Sequence, residues 1–153
     1  MPLPSPPALL AENRRVRYDY EVLETLEVGI ELLGHEVKSA KRGRASLRGS
    51  FVHLRGGEAW LTGATIAPYE KAGRLTDYDP TRPRRLLLKR RDLHRLIGQQ
   101  QSDRCTIVPL TMIVRHGLVK ITIALVRGKR QYEKRATIKR REDERRMRQA
   151  GMR

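Results

Sequence analysis

A chain of 153 residues has room for one domain with a single core, and 39% hydrophobic residues support a core without filling the whole length. Its 33 Lys and Arg against 17 Asp and Glu leave a formal net charge of +16, so nucleic acid leads as partner and an anionic membrane comes second. No stretch approaches the ~18 apolar residues of a spanning helix, the start MPLPSPPALLAE lacks the features of a secretory signal, and the lone Cys105 excludes an internal disulfide framework and fits a reducing cytosol.

Residues 1–12 carry Pro2, Pro4, Pro6 and Pro7, which predict a flexible, unpacked leader. The basic cluster Asn13-Arg14-Arg15-Val16-Arg17 follows. Tyr20, Val22, Leu26, Val28, Ile30 and Leu32 then alternate with Glu21, Thr25, Glu27, Gly29 and Glu31, which predicts a long strand. Glu24 on the apolar parity and Gly29 point to a bend or bulge inside it. His35–Lys41 suits two helical turns. Phe51–Arg55 and Glu58–Thr62 flank Gly56-Gly57, a hairpin with a tight two-residue turn.

Pro68 to Arg85 reads as loop, and Arg84 to Gln101 as a helix entered from Pro83 and weakened or capped at Gly98. Thr106–Val114 is an apolar strand in which Pro109 marks an edge or bulge. In Leu118–Val126, Val119, Ile121, Ile123 and Leu125 face one way and Lys120, Thr122 and Ala124 the other. No βαβ alternation appears. The expected fold is mainly β: a small antiparallel closed barrel of oligonucleotide-binding (OB) type, residues 13–127, with two or three inserted helices.

Nothing in the sequence argues for catalysis. His35, His53, His94 and His116 have no metal-ligand spacing, Cys105 has no catalytic context, and Asp77 with Asp79 beside Pro80 reads as a turn. No metal, cofactor or catalytic residue is expected. Four basic clusters carry more information: Arg14-Arg15-Arg17, Lys38-Lys41-Arg42-Arg44, Arg84-Arg85-Lys89-Arg90-Arg91 and Arg127-Lys129-Arg130. Together they suit phosphate contacts along one side of a barrel. Aromatics at 5% favour folded RNA read by shape over a stacking platform for many unpaired bases.

Residues 128–153 form a cationic tail. From Arg127 on there are twelve basic and four acidic residues, and neither Gly nor Pro falls between Gly128 and Gly151. Glu142–Arg146 and Glu144–Arg148 are spaced to support a helix. Such a segment is expected to be disordered when free and helical in a polyanionic groove.

The stretches ENRRVRYDYEVLETLEVGIELLGHEVKSAKRGRASLRGSFV, YDPTRPRRLLLKRRDLHRLIG and VKITIALVRGKRQYEKR closely resemble the SsrA-binding protein (small protein B) family. The motifs N-R-R-x-R, G-x-E-V-K-S, D-P-x-R-x-R-x-L-L-L and R/K-G-K-x-x-Y-x-K-R carry the likeness from about Glu12 to Arg141. The resemblance implies a cytoplasmic, monomeric, non-enzymatic adaptor of trans-translation. It binds the tRNA-like domain of transfer-messenger RNA and, with elongation factor Tu joined through the RNA, delivers it to stalled ribosomes. Its tail turns helical in the vacant messenger channel beside the decoding centre and 16S rRNA.

Carried over position by position, the likeness implies RNA contacts at Asn13, Arg14, Arg15, Glu27, Lys38, Leu87 and Lys120. It implies decoding-site contacts at Gly128, Lys129, Tyr132, Lys134, Arg135 and Met147. A lone carboxylate repels phosphate, so Glu27 either accepts from a base or ribose hydroxyl, orients a neighbouring Arg, or is a plain surface residue. Tyr18 stands where many members carry His, and the last dozen residues align poorly, with Met147 and Met152 as candidate apolar anchors. A structural ribosomal protein that binds rRNA is the rival reading.

Overall fold

The computed structural model describes residues 7–73, 77–129 and 131–151, with backbone alone at 102–103, 131–134 and 136–137. In chain order the strands are β1 (Ala8–Glu12), β2 (Tyr20–Ile30), β3 (Ala45–Ser46), β4 (Phe51–Arg55), β5 (Glu58–Thr62), β6 (Thr65–Ile66), β7 (Arg84–Leu87), β8 (Thr106–Arg115) and β9 (Leu118–Gly128). The helices are α1 (Val16–Asp19), α2 (Gly34–Lys41), α3 (Arg90–Asp103) and α4 (Gln131–Gly151), with a single 3-10 turn at Glu70–Ala72.

Strands β8, β4, β5, β7, β2 and β9 pair antiparallel in that order, and β8–β9 pairing closes the ring. This is the expected OB-type barrel. Inside it lie Val28, Ile30, Leu47, Val52, Leu61, Ile66, Leu86, Ile107, Met112, Ile121 and Ile123, with Leu96 of α3 packed into the same core.

The bulge anticipated near Glu24 is present: Val22 faces Val126 of β9, but the next paired residue is Glu24, opposite Leu125. One extra residue moves the side chains after it to the opposite face. Tyr20 and Val22 therefore pack outside the barrel while Leu26, Val28 and Ile30 serve the interior. A second bulge, between Pro109 and Thr111, does the same for β8. Between the two bulges Val108, Leu110, Ala124 and Val126 form a small second core on the outer surface, sealed by Val16 of α1.

Two expectations are corrected. The leader is not wholly unpaired, because Ala8–Glu12 is β1, which pairs antiparallel with the second half of β8 beside β4. Residues 1–6, with Pro2, Pro4 and Pro6, lie outside the described residues. The helix over Arg84–Gln101 is displaced: Arg84–Leu87 is β7, and α3 begins only at Arg90 and runs past Gly98 to Asp103. Arg84 and Leu86 are buried while Arg85 and Leu87 are exposed, a period of two that sheet pairing on both edges enforces.

The tail, expected to be helical in a polyanionic groove, takes a helical form. Residues 131–151 are one helix, α4. The absence of Pro along it and the two acid–base pairs at i,i+4 spacing favour that conformation locally. Among its described side chains none enters the core, and Ile138 and Met147 are both exposed.

Candidate nucleic-acid interface

Three strands carry Glu27, Leu87 and Lys120 to one outer face of the barrel. Gly29 of β2 pairs with Leu87 of β7 on one edge and with Lys120 of β9 on the other. The neighbouring inward positions Val28, Leu86 and Ile121 are buried, so alternation turns Leu87 and Lys120 outward. Gly29 sits between them because the space over it is taken: a Cβ there would lie 3.2 Å from Leu87 Cβ. The next row holds Glu27, Thr122 and Thr111. Leu87 is half exposed, an apolar surface beside a cation.

Glu27 is not a bare carboxylate. Arg115 donates Nε–H to its Oε1 at 2.9 Å and Nη2–H to Oε2 at 3.2 Å. This pairing is of the kind required by the alternative in which Glu27 orients a neighbouring Arg.

The basic cluster before β2 divides. Arg14 joins Arg17, Thr25, Thr122 and Arg141 of α4 around a cleft of about 510 Å³ that continues the outer face. Arg15 lies on the other side of α1, 3.5 Å from Asp19 and with its guanidinium 5.9 Å from the centre of the Tyr18 ring. Asn13 does structural work. Its backbone N–H bonds Leu110 O at 2.7 Å and its Nδ2–H bonds Pro109 O at 3.2 Å, tying the end of β1 to the bulge in β8. Lys38 belongs to a separate patch, where it and Arg42 stand 5.8 Å and 5.2 Å from the Tyr69 ring centre.

Another basic cluster loses a member to the interior. Arg84, expected on the RNA side, is fully buried and paired with the equally buried Glu36 of α2. Arg84 donates to Glu36 Oε2 from Nε at 3.0 Å and from Nη2 at 2.6 Å, and also to Ala64 O, Pro80 O and the Tyr78 hydroxyl. Arg82 and the Leu33 backbone N–H complete the carboxylate's shell. Burial pushes the Glu36 carboxyl up, but the bonds from Arg82, Leu33 and Arg84 and the charge of Arg84 outweigh it and hold the group down at about 2. The motifs around Glu36 and Arg84 thus meet inside the protein. An acid in an otherwise basic helix, and Arg82 and Arg84 at alternating positions, were the only signals of it in the sequence.

The tail leaves from a fixed root. Gly128 ends β9 opposite Tyr20. Lys129 bonds the body twice, its N–H to Asp19 O at 3.1 Å and its Nζ to Arg17 O at 2.8 Å, the place where a cation suits the carbonyl end of α1. The side chains of Tyr132 and Lys134 lie outside the described residues, as does Met152. Arg135 is exposed, and Met147 is 73% exposed. Among the described residues no group of three His, Cys, Asp or Glu is placed to hold a metal, and no helix is long and apolar enough to cross a membrane.

Residues 10–153 match the family model described as SmpB protein. The chain is 47% identical over 142 residues to the SsrA-binding protein of Gloeothece citriformis (strain PCC 7424), covering 93% of this chain and 92% of that protein. It is 46% identical over 134 residues to the SsrA-binding protein of Roseiflexus castenholzii (strain DSM 13941 / HLO8), covering 88% and 85%. A solved chain described as "tmRNA-SmpB: a journey to the center of the bacterial ribosome" superposes with a TM-score of 0.65 at 44% identity, covering 83% of this chain and 87% of that one. A barrel with these motifs at these positions, matched over nearly its whole length, belongs to the SmpB protein family.

Proposed function

We propose that this chain is a cytoplasmic, non-enzymatic adaptor that binds the tRNA-like domain of transfer-messenger RNA and carries it to stalled ribosomes. The observation that carries the reading is the single outer face on which Leu87, Gly29 and Lys120 adjoin across three strands, with Arg14 and Arg17 at its end. Cations on a rigid sheet bind a folded RNA by its phosphates, and the exposed Leu87 packs where a sugar or base edge comes close. The tail, rooted by Lys129 and cationic along its length, is assigned to the empty messenger channel near the decoding centre, where 16S rRNA supplies the polyanion. Elongation factor Tu then joins through the RNA, and the chain acts as a monomer.

A gel shift at stated salt, with the tRNA-like fragment against an ordinary tRNA, tests the reading. Marked preference for the fragment supports it, whereas permanent co-purification with one ribosomal subunit supports the rival structural ribosomal protein. Lys120→Ala is expected to weaken binding to the fragment by about 1–3 kcal/mol if its ammonium meets a phosphate. The salt dependence should also flatten by about one ion. An unchanged slope would mean that Lys120 does not touch phosphate.

A further inference from the structure

We infer that Arg115, which none of the motifs contains, is an RNA-contacting residue of the outer face and that Glu27 positions it; the inference rests on the RNA-binding reading above. The bonds that carry it are the two from Arg115 to Glu27, at 2.9 Å and 3.2 Å. A guanidinium has five N–H donors in a rigid plane. The fork to Glu27 takes Nε–H and one Nη2–H. Both Nη1 hydrogens and the second Nη2 hydrogen have no protein acceptor among the described residues, on a side chain 40% exposed.

Those three donors match two oxygens of a phosphate, or the O6 and N7 edge of an unpaired guanine. Lys120 pairs with Ile113, two residues before Arg115, so a point charge stands beside the fork on the same face.

The other exposed pairs differ. Arg85 is shared between Glu58 at 3.2 Å and Glu31 at 3.9 Å. Arg95 bonds Glu24 and ties α3 to β2. An exposed ion pair adds little to stability, so the consequence of the Glu27 fork is orientation: it holds a flexible side chain in one pose before RNA arrives.

Charge and orientation make opposite predictions. Removing Glu27 raises the net positive charge, which by itself tightens binding to a polyanion. If Glu27 positions Arg115, removing it weakens specific binding in spite of that.

The test is a double-mutant cycle with the full chain, the isolated tRNA-like RNA fragment and an ordinary tRNA, read at several salt concentrations beside unfolding midpoints. Arg115→Ala is expected to weaken fragment binding roughly ten- to a hundredfold and to flatten the salt slope by about one. Glu27→Ala is expected to weaken it several-fold, and the double variant to bind no worse than Arg115→Ala alone. Full persistence of the Glu27→Ala loss on the Arg115→Ala background would mean that Glu27 itself touches RNA, and the inference fails. It fails equally if both changes lower the unfolding midpoint while fragment affinity stays put. A wild-type chain that does not prefer the fragment to tRNA overturns the RNA assignment itself. That outcome is separate, because the cycle can still be closed on whichever RNA binds.

Discussion

Glu36→Gln is expected to cost about 3–5 kcal/mol of folding stability, because it leaves the Arg84 guanidinium charged, buried and without its counter-ion. Against the ~5–15 kcal/mol typical of a domain, that is a large share of the total. The pair joins α2 to β7, and its other bonds reach Ala64, Pro80 and Tyr78, so one carboxylate organises the connection between β6 and β7. The Tyr78 phenol is pushed above its usual value by burial and by the neighbouring Glu36, which keeps it neutral and able to donate.

The same carboxylate makes the protein acid-sensitive. Its folded value of about 2 lies below the ordinary 4.5, so its contribution is complete above pH ~4.5 and is lost as pH falls toward 2. The size of that loss is about 3 kcal/mol. Denaturant unfolding at pH 7, 4.5 and 2.5 checks both statements. The wild type should weaken across the lower interval, and Glu36→Gln should be weak throughout and lack that step. A variant as stable as the wild type at neutral pH would show that the pair contributes nothing net.

Truncation after Gly128 is expected to leave affinity for the tRNA-like fragment nearly intact and to abolish peptide tagging on stalled ribosomes. The sheet closes without the tail, since the last barrel pairing is Tyr20 with Gly128. Eleven Lys and Arg lie beyond Gly128 against four acids, so general attraction to RNA should fall at low salt. Near physiological salt the outer face should suffice. Arg141 reaches the cleft at Asn13 and Arg14, which gives the measurement an edge. A large loss of fragment affinity on truncation would mean that α4 belongs to the RNA-binding face, and the division between body and tail would be wrong.

Local patterns in the chain determined most of the strands. Alternation placed β2 and β9, a continuous apolar run placed β8, Gly56-Gly57 placed the β4–β5 hairpin, and Glu24 with Pro109 pointed to two bulges, because each signal lies within a few residues. Motif likeness supplied Glu27, Leu87 and Lys120, and the register across Gly29 shows why positions so far apart belong together.

What only the tertiary structure decided depends on partners distant in sequence. Strand β1 hides in a Pro-rich start because its partner lies about a hundred residues on. Strand β7 merges with a helical pattern until sheet neighbours on both sides impose their period. Arg84 counts as a surface cation until Glu36 meets it in the interior, and Glu27 is a puzzling acid until Arg115 closes on it. Charge can be read from composition, but whether a charge faces RNA or another side chain depends on where the folded chain brings its counter-ion.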